Sequence, residues 1–287
     1  MQFMVLRKAG PETETGDDMP SAELISAMGK YNQQLVDAGV MREGAGLKPS
    51  AHGVRLRLAP GQVTVTDGPF AEAKELVAGF SIFEVASKQE AIDWLRRWPV
   101  EDADGNVALE VRECGCPGGC AGVATLAAPD AGGKRFVVLL RSDAFTESDA
   151  APEQHKLDAL DAFNVDQVKA GVLLAGDGLK SSARGARIKF EKGRPTVVDG
   201  PFTEIKELIA GYWMIRVASL DAAIAWARQL PYPTGPEVEV EIRPLYELED
   251  FGVAFDAEVC QAEERMRARQ LEEGMRAQLA AAPPTWR

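Results

Sequence analysis

One stretch of the chain occurs twice with little change. Residues 67–80 read DGPFAEAKELVAGF, and residues 199–212 read DGPFTEIKELIAGY. The two starting positions are 199 − 67 = 132 residues apart. Identical residues keep this spacing on both sides of the stretch, as in the pairs Gly39 and Gly171, Leu47 and Leu179, and Trp94 and Trp226. A spacing held over such a distance indicates a tandem duplication, so the chain is predicted to contain two copies of one domain.

Composition narrows the functional classes. A chain of 287 residues, 46% of them hydrophobic, has enough apolar side chains for two cores of ordinary size. The formal net charge of −12 argues against a nucleic-acid partner, because phosphates require a basic face. No run of about 18 apolar residues is present, so no membrane span is expected. The N-terminus is strand-like and lacks the apolar stretch of a signal peptide, which favours a cytoplasmic protein.

Hydrophobic periodicity predicts the order β-α-β, hairpin, β-α-β in each copy, which is an α+β arrangement. Period-two alternation is typical of a strand with one solvated face, and steps of three and four residues are typical of an amphipathic helix. Ser87 and Glu90 form a capping box at the start of a helix. The predicted elements of the first copy are strands at 3–8 and 40–47, a helix from about 20 to Gly39, a hairpin over 54–66, a strand at 80–85, a helix from Ser87 to Pro99 and a strand at 107–111.

These patterns divide the chain into four segments. The first copy occupies residues 1–113, and the second occupies residues 135–250. Residues 114–134 are a linker rich in Gly, Pro and Cys. Residues 251–287 carry an apolar stripe at helical spacing, which predicts an arm that docks on the body or on another subunit.

The repeated string Asp-Gly-Pro-Phe-x-Glu-x-Lys-Glu, followed by Gly and an aromatic residue, resembles the YCII-related family and, more narrowly, its DGPF-domain branch. The resemblance covers residues 2–113 and 135–250. It implies two tandem ferredoxin-like domains of the dimeric α+β barrel type, joined in an internal pseudo-dimer with pockets between sheet, helices and inserted hairpin. It also implies a link to extracytoplasmic-function sigma factors, beside which members of this branch are often encoded.

Enzymatic relatives in this family are thought to use a histidine on the first helix together with an aspartate. The corresponding positions here are near Met28 and Leu160, and His155 lies about a turn and a half too early. The His–Asp chemistry is therefore not expected in this chain, and the repeated motif supplies the candidate site residues instead.

The motif has two parts with different interpretations. In Asp-Gly-Pro, the aspartate can accept hydrogen bonds from nearby amides, Gly permits a positive φ and Pro fixes the next φ, so a structural turn is favoured. In Glu-x-Lys-Glu, two carboxylates flank an ammonium, which suits a structural ion-pair network, a clamp for an anionic or polar ligand, or proton transfer. The lysine of each copy is predicted to sit between these acidic groups beside a pocket entrance. The candidate catalytic residues are Asp67, Glu72, Glu75, Asp199, Glu204 and Glu207, and the candidate ligand-binding residues are Lys74, Lys206, Glu72 and Glu204.

Two other residue pairs match across the copies. Trp94 and Trp226 lie at helical spacing with apolar neighbours, so core packing is predicted. Arg55 and Arg187 alternate with apolar residues on the hairpins, so a solvated face is predicted for them.

The linker contains a cluster of cysteines. Cys114, Cys116 and Cys120 could supply three thiolates to zinc or an iron–sulfur centre. A fourth ligand is missing nearby, since Cys260 is remote in sequence, and the second copy has no counterpart. An ordinary linker with reducible thiols is therefore predicted, with no metal and no cofactor.

The motif and the family resemblance together imply a small-molecule-binding protein, or an accessory protein in a sigma-factor-linked response. An enzyme, such as an isomerase or hydrolase that uses the motif carboxylates, is the alternative by fold analogy. A scaffold that contacts other proteins through the C-terminal helix is the third interpretation.

Overall fold

The computed structural model of this protein describes residues 1–14, 20–71, 76–117, 122–124, 132–247 and 249–250. The strands in these ranges are β1 (Gln2–Lys8), β2 (Met41–Gly46), β3 (Val54–Ala59), β4 (Gln62–Asp67), β5 (Val77–Glu84), β6 (Ala108–Glu113), β7 (Val123–Ala124), β8 (Lys134–Arg141), β9 (Leu173–Gly178), β10 (Ala186–Glu191), β11 (Arg194–Asp199), β12 (Ile209–Val217) and β13 (Val238–Pro244). The helices are α1 (Pro11–Glu14), α2 (Ala22–Asp37), α3 (Lys88–Leu95), α4 (Gln154–Lys169) and α5 (Leu220–Ala227).

The strands form two antiparallel sheets, and each sheet contains strands from both copies. The six-stranded sheet has the order β11-β10-β6-β1-β5-β2, and the seven-stranded sheet has the order β4-β3-β13-β8-β12-β9-β7. The β3–β4 hairpin of the first copy therefore extends the sheet of the second copy through β13, and the β10–β11 hairpin extends the sheet of the first copy through β6. This reciprocal exchange confirms the predicted α+β fold and internal pseudo-dimer.

The two sheets stack between two layers of helices. Alternation along each strand sends Phe3 and Val5 toward the helices and Met4 and Leu6 toward the other sheet. One core lies between the six-stranded sheet and α2 and α3, and a second lies between the seven-stranded sheet and α4 and α5. The third core joins the sheets, with Met4, Leu6, Phe80 and Ile82 from one sheet and Val137, Leu139, Tyr212 and Met214 from the other.

The helix ends follow from the sequence. Ser21, Ser87 and Ser219 each accept a hydrogen bond from the amide three residues later, which satisfies one free donor of the first turn. Gly39 and Gly171 follow the C-cap residues of α2 and α4 with φ of +70° and +71°, so the predicted stop at Gly39 is confirmed and recurs in the second copy.

The tryptophans lie on the helix layers as predicted. Trp226 is 6% exposed in the second core, and its Nε1 donates to Gln167 Oε1 at 2.8 Å. Trp94 packs against the first core from its edge, with the Arg97 guanidinium 4.4 Å above its ring.

Within the described ranges, no helix is long and apolar enough to cross a membrane.

Candidate functional site

The two Asp-Gly-Pro-Phe segments connect the sheets. The segment that begins at Asp67 leads from β4 in the seven-stranded sheet to β5 in the six-stranded sheet, and the segment that begins at Asp199 leads the opposite way from β11 to β12. The Gly68–Pro69 and Gly200–Pro201 peptide bonds are both cis. Each motif therefore lies where an exchanged hairpin returns the chain to its own sheet.

Close approach of the backbone accounts for the glycine of each motif. A Cβ on Gly68 would lie 1.9 Å from the Ser50 carbonyl oxygen, and a Cβ on Gly200 would lie 1.8 Å from the Ser182 carbonyl oxygen. Neither glycine has a positive φ. The predicted reason for the glycine was therefore wrong: any side chain at this place would overlap the 3₁₀ turn beneath it, Ser50–His52 in one case and Ser182–Arg184 in the other.

That 3₁₀ turn also holds the motif by hydrogen bonds. The Phe70 amide donates to Ser50 Oγ at 3.2 Å, and the Phe202 amide donates to Ser182 Oγ at 3.1 Å. The Asp199 carboxylate accepts from Lys88 Nζ at 2.7 Å, so its partner is a side chain and not the amide of its own turn that the sequence predicted.

A buried cluster of charges packs against the second motif. Arg187 lies over the Phe202 ring at 4.2 Å, and its Nε donates to Glu110 Oε2 at 2.9 Å. Arg112 Nη1 donates to the other Glu110 oxygen at 3.2 Å, and both of these side chains are 0% exposed. Arg187 Nη2 also lies 3.3 Å from Glu207 Oε2, which ties the motif to the cluster.

The first motif has an equivalent cluster. Arg55 lies over the Phe70 ring at 4.3 Å, and its Nε donates to Glu241 Oε2 at 3.0 Å. Arg243 Nη1 donates to Glu241 Oε1 at 2.9 Å. The prediction of a solvated face for Arg55 and Arg187 is therefore wrong, because that face of each hairpin is turned toward the other sheet.

Charged side chains of the first strand of each copy, β1 and β8, hold the backbone of the second motif beside its cluster. Lys8 Nζ donates to the Glu207 carbonyl at 3.0 Å, and Arg141 donates to the Lys206 carbonyl. Burial lowers the pKa of Lys8; Glu110 opposes this shift, whereas Arg187 and Arg141 add to it. Burial alone would raise the pKa of Glu110, but the attraction of Lys8, Arg112 and Arg187 outweighs it, and the pKa is lowered.

The motif residues themselves are brought together only in part. Glu204 and Lys206 are exposed, and only Glu207 reaches the buried cluster. Within the described ranges the Lys206 side chain makes no ion pair, so the predicted acid–base–acid arrangement is not found in the second copy. Glu72, Lys74 and Glu75 lie outside the described residues. The catalytic and ligand-binding roles of the motif residues, including Asp67, stay predictions.

The cysteines of the linker differ from one another. Cys114 is a free thiol whose pKa is raised by burial, so it is a poor nucleophile. Cys116 is disulfide-bonded, so it offers no thiolate to a metal in this state. Cys120 and Cys260 lie outside the described residues. No group of three or more metal-ligating side chains occurs in the described part of the chain.

A cavity of about 60 Å³ lies in the second copy, at the end of the seven-stranded sheet. Leu140 and Trp213 line it from β8 and β12, Leu160 lines it from α4, and Thr234 lines it from the loop after α5. Asp177, at the end of β9, also lines it. Leu160 occupies the helix position at which the family resemblance implied a histidine in enzymatic relatives.

Among the described residues, the same place in the first copy holds different side chains. Pairing with the following strand shows that Arg7 corresponds to Leu140, since they lie opposite Gly79 and Gly211 respectively. Arg7 makes a two-pronged contact with Asp102, with Nη2 to Oδ1 at 2.7 Å and Nε to Oδ2 at 3.2 Å. Asp102 is the counterpart of Thr234, so an ion pair takes the place of an apolar cavity wall.

Comparison with known proteins identifies the family of both copies. The YCII-related domain matches residues 1–114 and again residues 135–248. This chain belongs to the YCII-related family. It is also 36% identical over 86 residues to an uncharacterised protein of Rhizobium meliloti (strain 1021), an alignment that covers 30% of this chain and 69% of that relative.

Asp177 is the charged residue among the described residues that line the cavity of the second YCII-related domain. Burial raises its pKa to about 6, against the opposing effect of backbone hydrogen bonds from Gly178 and Gly115 and the charge of Lys180. Its counterpart in the first YCII-related domain, 177 − 132 = 45, is Ala45. Position 177 is therefore a second place at which the two cavity regions have diverged.

Proposed function

We propose that the second YCII-related domain binds a small, largely apolar molecule in the cavity beside Leu140. The contrast between the domains carries this proposal. Among the described residues, the first domain has the Arg7–Asp102 ion pair at this place, whereas the second has Leu140 and Thr234 there, beside a cavity of about 60 Å³. Divergence of this kind is expected when one half of a duplication keeps a binding role and the other keeps a structural one.

The lining indicates the class of ligand. Leu140, Phe145, Leu160 and Trp213 offer aliphatic and aromatic contacts, as small-molecule sites usually do. Asp177 adds one carboxylate with a raised pKa. This combination suits a compact apolar molecule with a single hydrogen-bond donor or amine, because the donor offsets the cost of the buried carboxylate.

Transplanting the first domain's residues into the second tests the binding role. The double variant Leu140→Arg, Thr234→Asp should fill the cavity with an ion pair and weaken the binding of small aromatic alcohols and amines at least tenfold, since even a few lost apolar contacts cost more than about 1.4 kcal/mol. Saturation-transfer NMR with phenol and benzylamine measures the change. Val165→Arg, at an exposed position on α4, is the control and should bind as the parent protein does. Equal binding by the double variant, at unchanged stability, would contradict the proposal.

Asp177 also favours a second candidate function, proton transfer on a bound ligand. A carboxyl group whose pKa is raised to about 6 is divided between its acid and base forms near neutral pH, as a general acid–base requires. If the parent protein binds phenol and benzylamine without converting them chemically, and Asp177→Asn binds phenol as tightly, this second function is ruled out.

The sigma-factor link rests on the family resemblance alone, and we propose it as the context of the binding role. A phenol-dependent change in co-purification with an extracytoplasmic-function sigma factor of the same cell is expected. If neither the ligand nor the Leu140→Arg, Thr234→Asp substitutions change the co-purification, ligand binding and the sigma-factor link are independent of each other.

The raised pKa of Asp177 predicts a pH-dependent stability effect. The folded pKa of about 6 exceeds the unfolded value of 3.8. The ionised carboxylate therefore lowers the free energy of unfolding above pH 6, and this destabilisation disappears below pH 3.8. Asp177→Asn should therefore stabilise the protein by up to about 3 kcal/mol at pH 8 and by less than about 1 kcal/mol at pH 4. Urea unfolding at the two pH values measures this difference, with Asp161→Asn on the exposed face of α4 as the control. A pH-independent effect would show that Asp177 ionises normally.

A further inference from the structure

The β4 strand forms an unusual edge of the seven-stranded sheet. Each of its residues is exposed, and Val63 and Val65 are 38% and 45% exposed. Gln62 through Thr66 contain no charged residue. Edge strands of this composition offer unpaired backbone groups to another strand, whereas most natural edges carry charges, prolines or bulges that prevent such pairing.

The hairpin register shows which backbone groups are available. A two-residue turn at Pro60 and Gly61 joins β3 to β4, and Ala59 pairs with Gln62 as the first rung. In an antiparallel pair, hydrogen-bonded and non-hydrogen-bonded rungs alternate, so Val63 and Val65 direct their N–H and C=O groups away from β3. These are the groups that an additional strand would meet.

The equivalent edge in the second domain is protected. In β11, Arg194 stands where β4 has Gln62, and Pro195 stands where β4 has Val63. Proline has no N–H to donate, and arginine adds charge to the edge. Val197, the counterpart of Val65, is packed against the first core. Of the two exchanged hairpins, β4 therefore has the open edge and β11 the protected one.

We propose that β4 is a self-association edge, at which two copies of this chain pair antiparallel about a two-fold axis through Thr64. The sequence Val63-Thr64-Val65 is self-complementary, because Val63 then lies opposite Val65 of the second copy and the reverse. The two valine rungs supply about four main-chain hydrogen bonds and place four valine side chains on one face. Charge also selects this edge. Chains with a net charge of −12 repel one another, and this uncharged stretch lets them approach.

Two variants separate this pairing from loss of the fold. Gln62→Arg with Val63→Pro reproduces the residues of β11, and the proline removes only an outward N–H, so the β3–β4 hairpin should stay intact. Val65→Lys adds one charge to each side of the pairing. Both variants should raise the dimer dissociation constant at least tenfold, with melting temperatures unchanged. Val198→Lys, at a valine of β11 that is 56% exposed, is the matched control and should associate as the parent protein does.

Sedimentation equilibrium between about 1 and 300 μM measures this association, because edge pairing of a few residues gives weak dimers. We expect the average mass of the parent protein to rise with concentration toward twice the monomer mass. A parent protein that stays monomeric throughout this range would overturn the proposal, and so would dimers that both β4 variants leave unchanged.

Discussion

Replacing Glu110 by alanine is expected to lower the free energy of unfolding by about 3–5 kcal/mol. Glu110 is 0% exposed and accepts from Arg112 at 3.2 Å and from Arg187 at 2.9 Å. Its removal leaves these two guanidinium groups and the Lys8 ammonium facing one another without the carboxylate that compensates them. Urea unfolding at pH 7 measures the loss.

The pH dependence of this loss identifies its electrostatic origin. The pKa of Glu110 is lowered in the folded state, so its stabilising contribution is complete above the ordinary value of 4.5 and is lost as the pH falls through the folded value. The difference between the parent protein and Glu110→Ala should therefore shrink below pH 4.5. A loss that is the same at every pH would indicate a cavity effect instead.

An exposed ion pair on the neighbouring strand gives the control. Glu191 lies 2.8 Å from Lys189 on β10, and their side chains are 72% and 69% exposed. Glu191→Ala should leave the unfolding midpoint unchanged, because water screens such a pair. Glu241→Ala in the second cluster should resemble Glu110→Ala, since Glu241 joins Arg55 and Arg243 in the same way.

The duplication, the element order and the glycine stops could all be predicted from the sequence, because each depends on local spacing. The partial burial of Arg55 and Arg187 in ion-pair clusters could not. Period-two alternation shows that the arginines face away from Val54 and Leu56 or from Ala186 and Ile188. It does not show what covers the opposite face, and the hairpin exchange brings the other sheet there.

A signal for the buried clusters was nevertheless present. The closing strands contain Glu110-Val-Arg112 and Glu241-Ile-Arg243, a charged pattern repeated at a spacing of 241 − 110 = 131 residues. Each glutamate also binds a hairpin arginine, Glu110 binding Arg187 and Glu241 binding Arg55. The sequence could not reveal these pairs, because the arginine comes from the other copy.

The divergence of the cavity was hidden for a related reason. Arg7 and Leu140 are 140 − 7 = 133 residues apart, whereas the repeated motif has a spacing of 132. A comparison at the motif's spacing therefore pairs Arg7 with Leu139, which faces the other sheet. Only the strand pairing places Leu140 opposite Gly211 and makes it the counterpart of Arg7.

Replacing Gly200 by alanine is expected to cost about 3 kcal/mol of stability. The new methyl group would lie 1.8 Å from the Ser182 carbonyl oxygen, and a backbone atom cannot move aside as a flexible side chain can. Ser182 also donates its amide to Glu147 Oε2 at 2.8 Å and accepts from the Phe202 amide. Glu147 accepts from Arg112 Nη2 at 3.0 Å, so displacing this turn disturbs the buried charge cluster as well. Thermal and urea unfolding measure the loss.

Gly235 supplies the matched control, because a Cβ there would meet nothing within 4 Å, and Gly235→Ala should change stability by less than about 0.5 kcal/mol. Gly68→Ala should be as harmful as Gly200→Ala, given its separation of 1.9 Å from the Ser50 carbonyl oxygen. Unchanged stability in either motif variant would show that the 3₁₀ turn moves aside to accept a methyl group. Close packing would then not account for the repeated glycine. Large losses of stability in both variants would show that the Asp-Gly-Pro-Phe part of the motif is repeated because the chain must cross between the sheets there. Glu-x-Lys-Glu, of which only Glu207 is seen to join the buried cluster, would then be the part of the motif for which a ligand role is still to be tested.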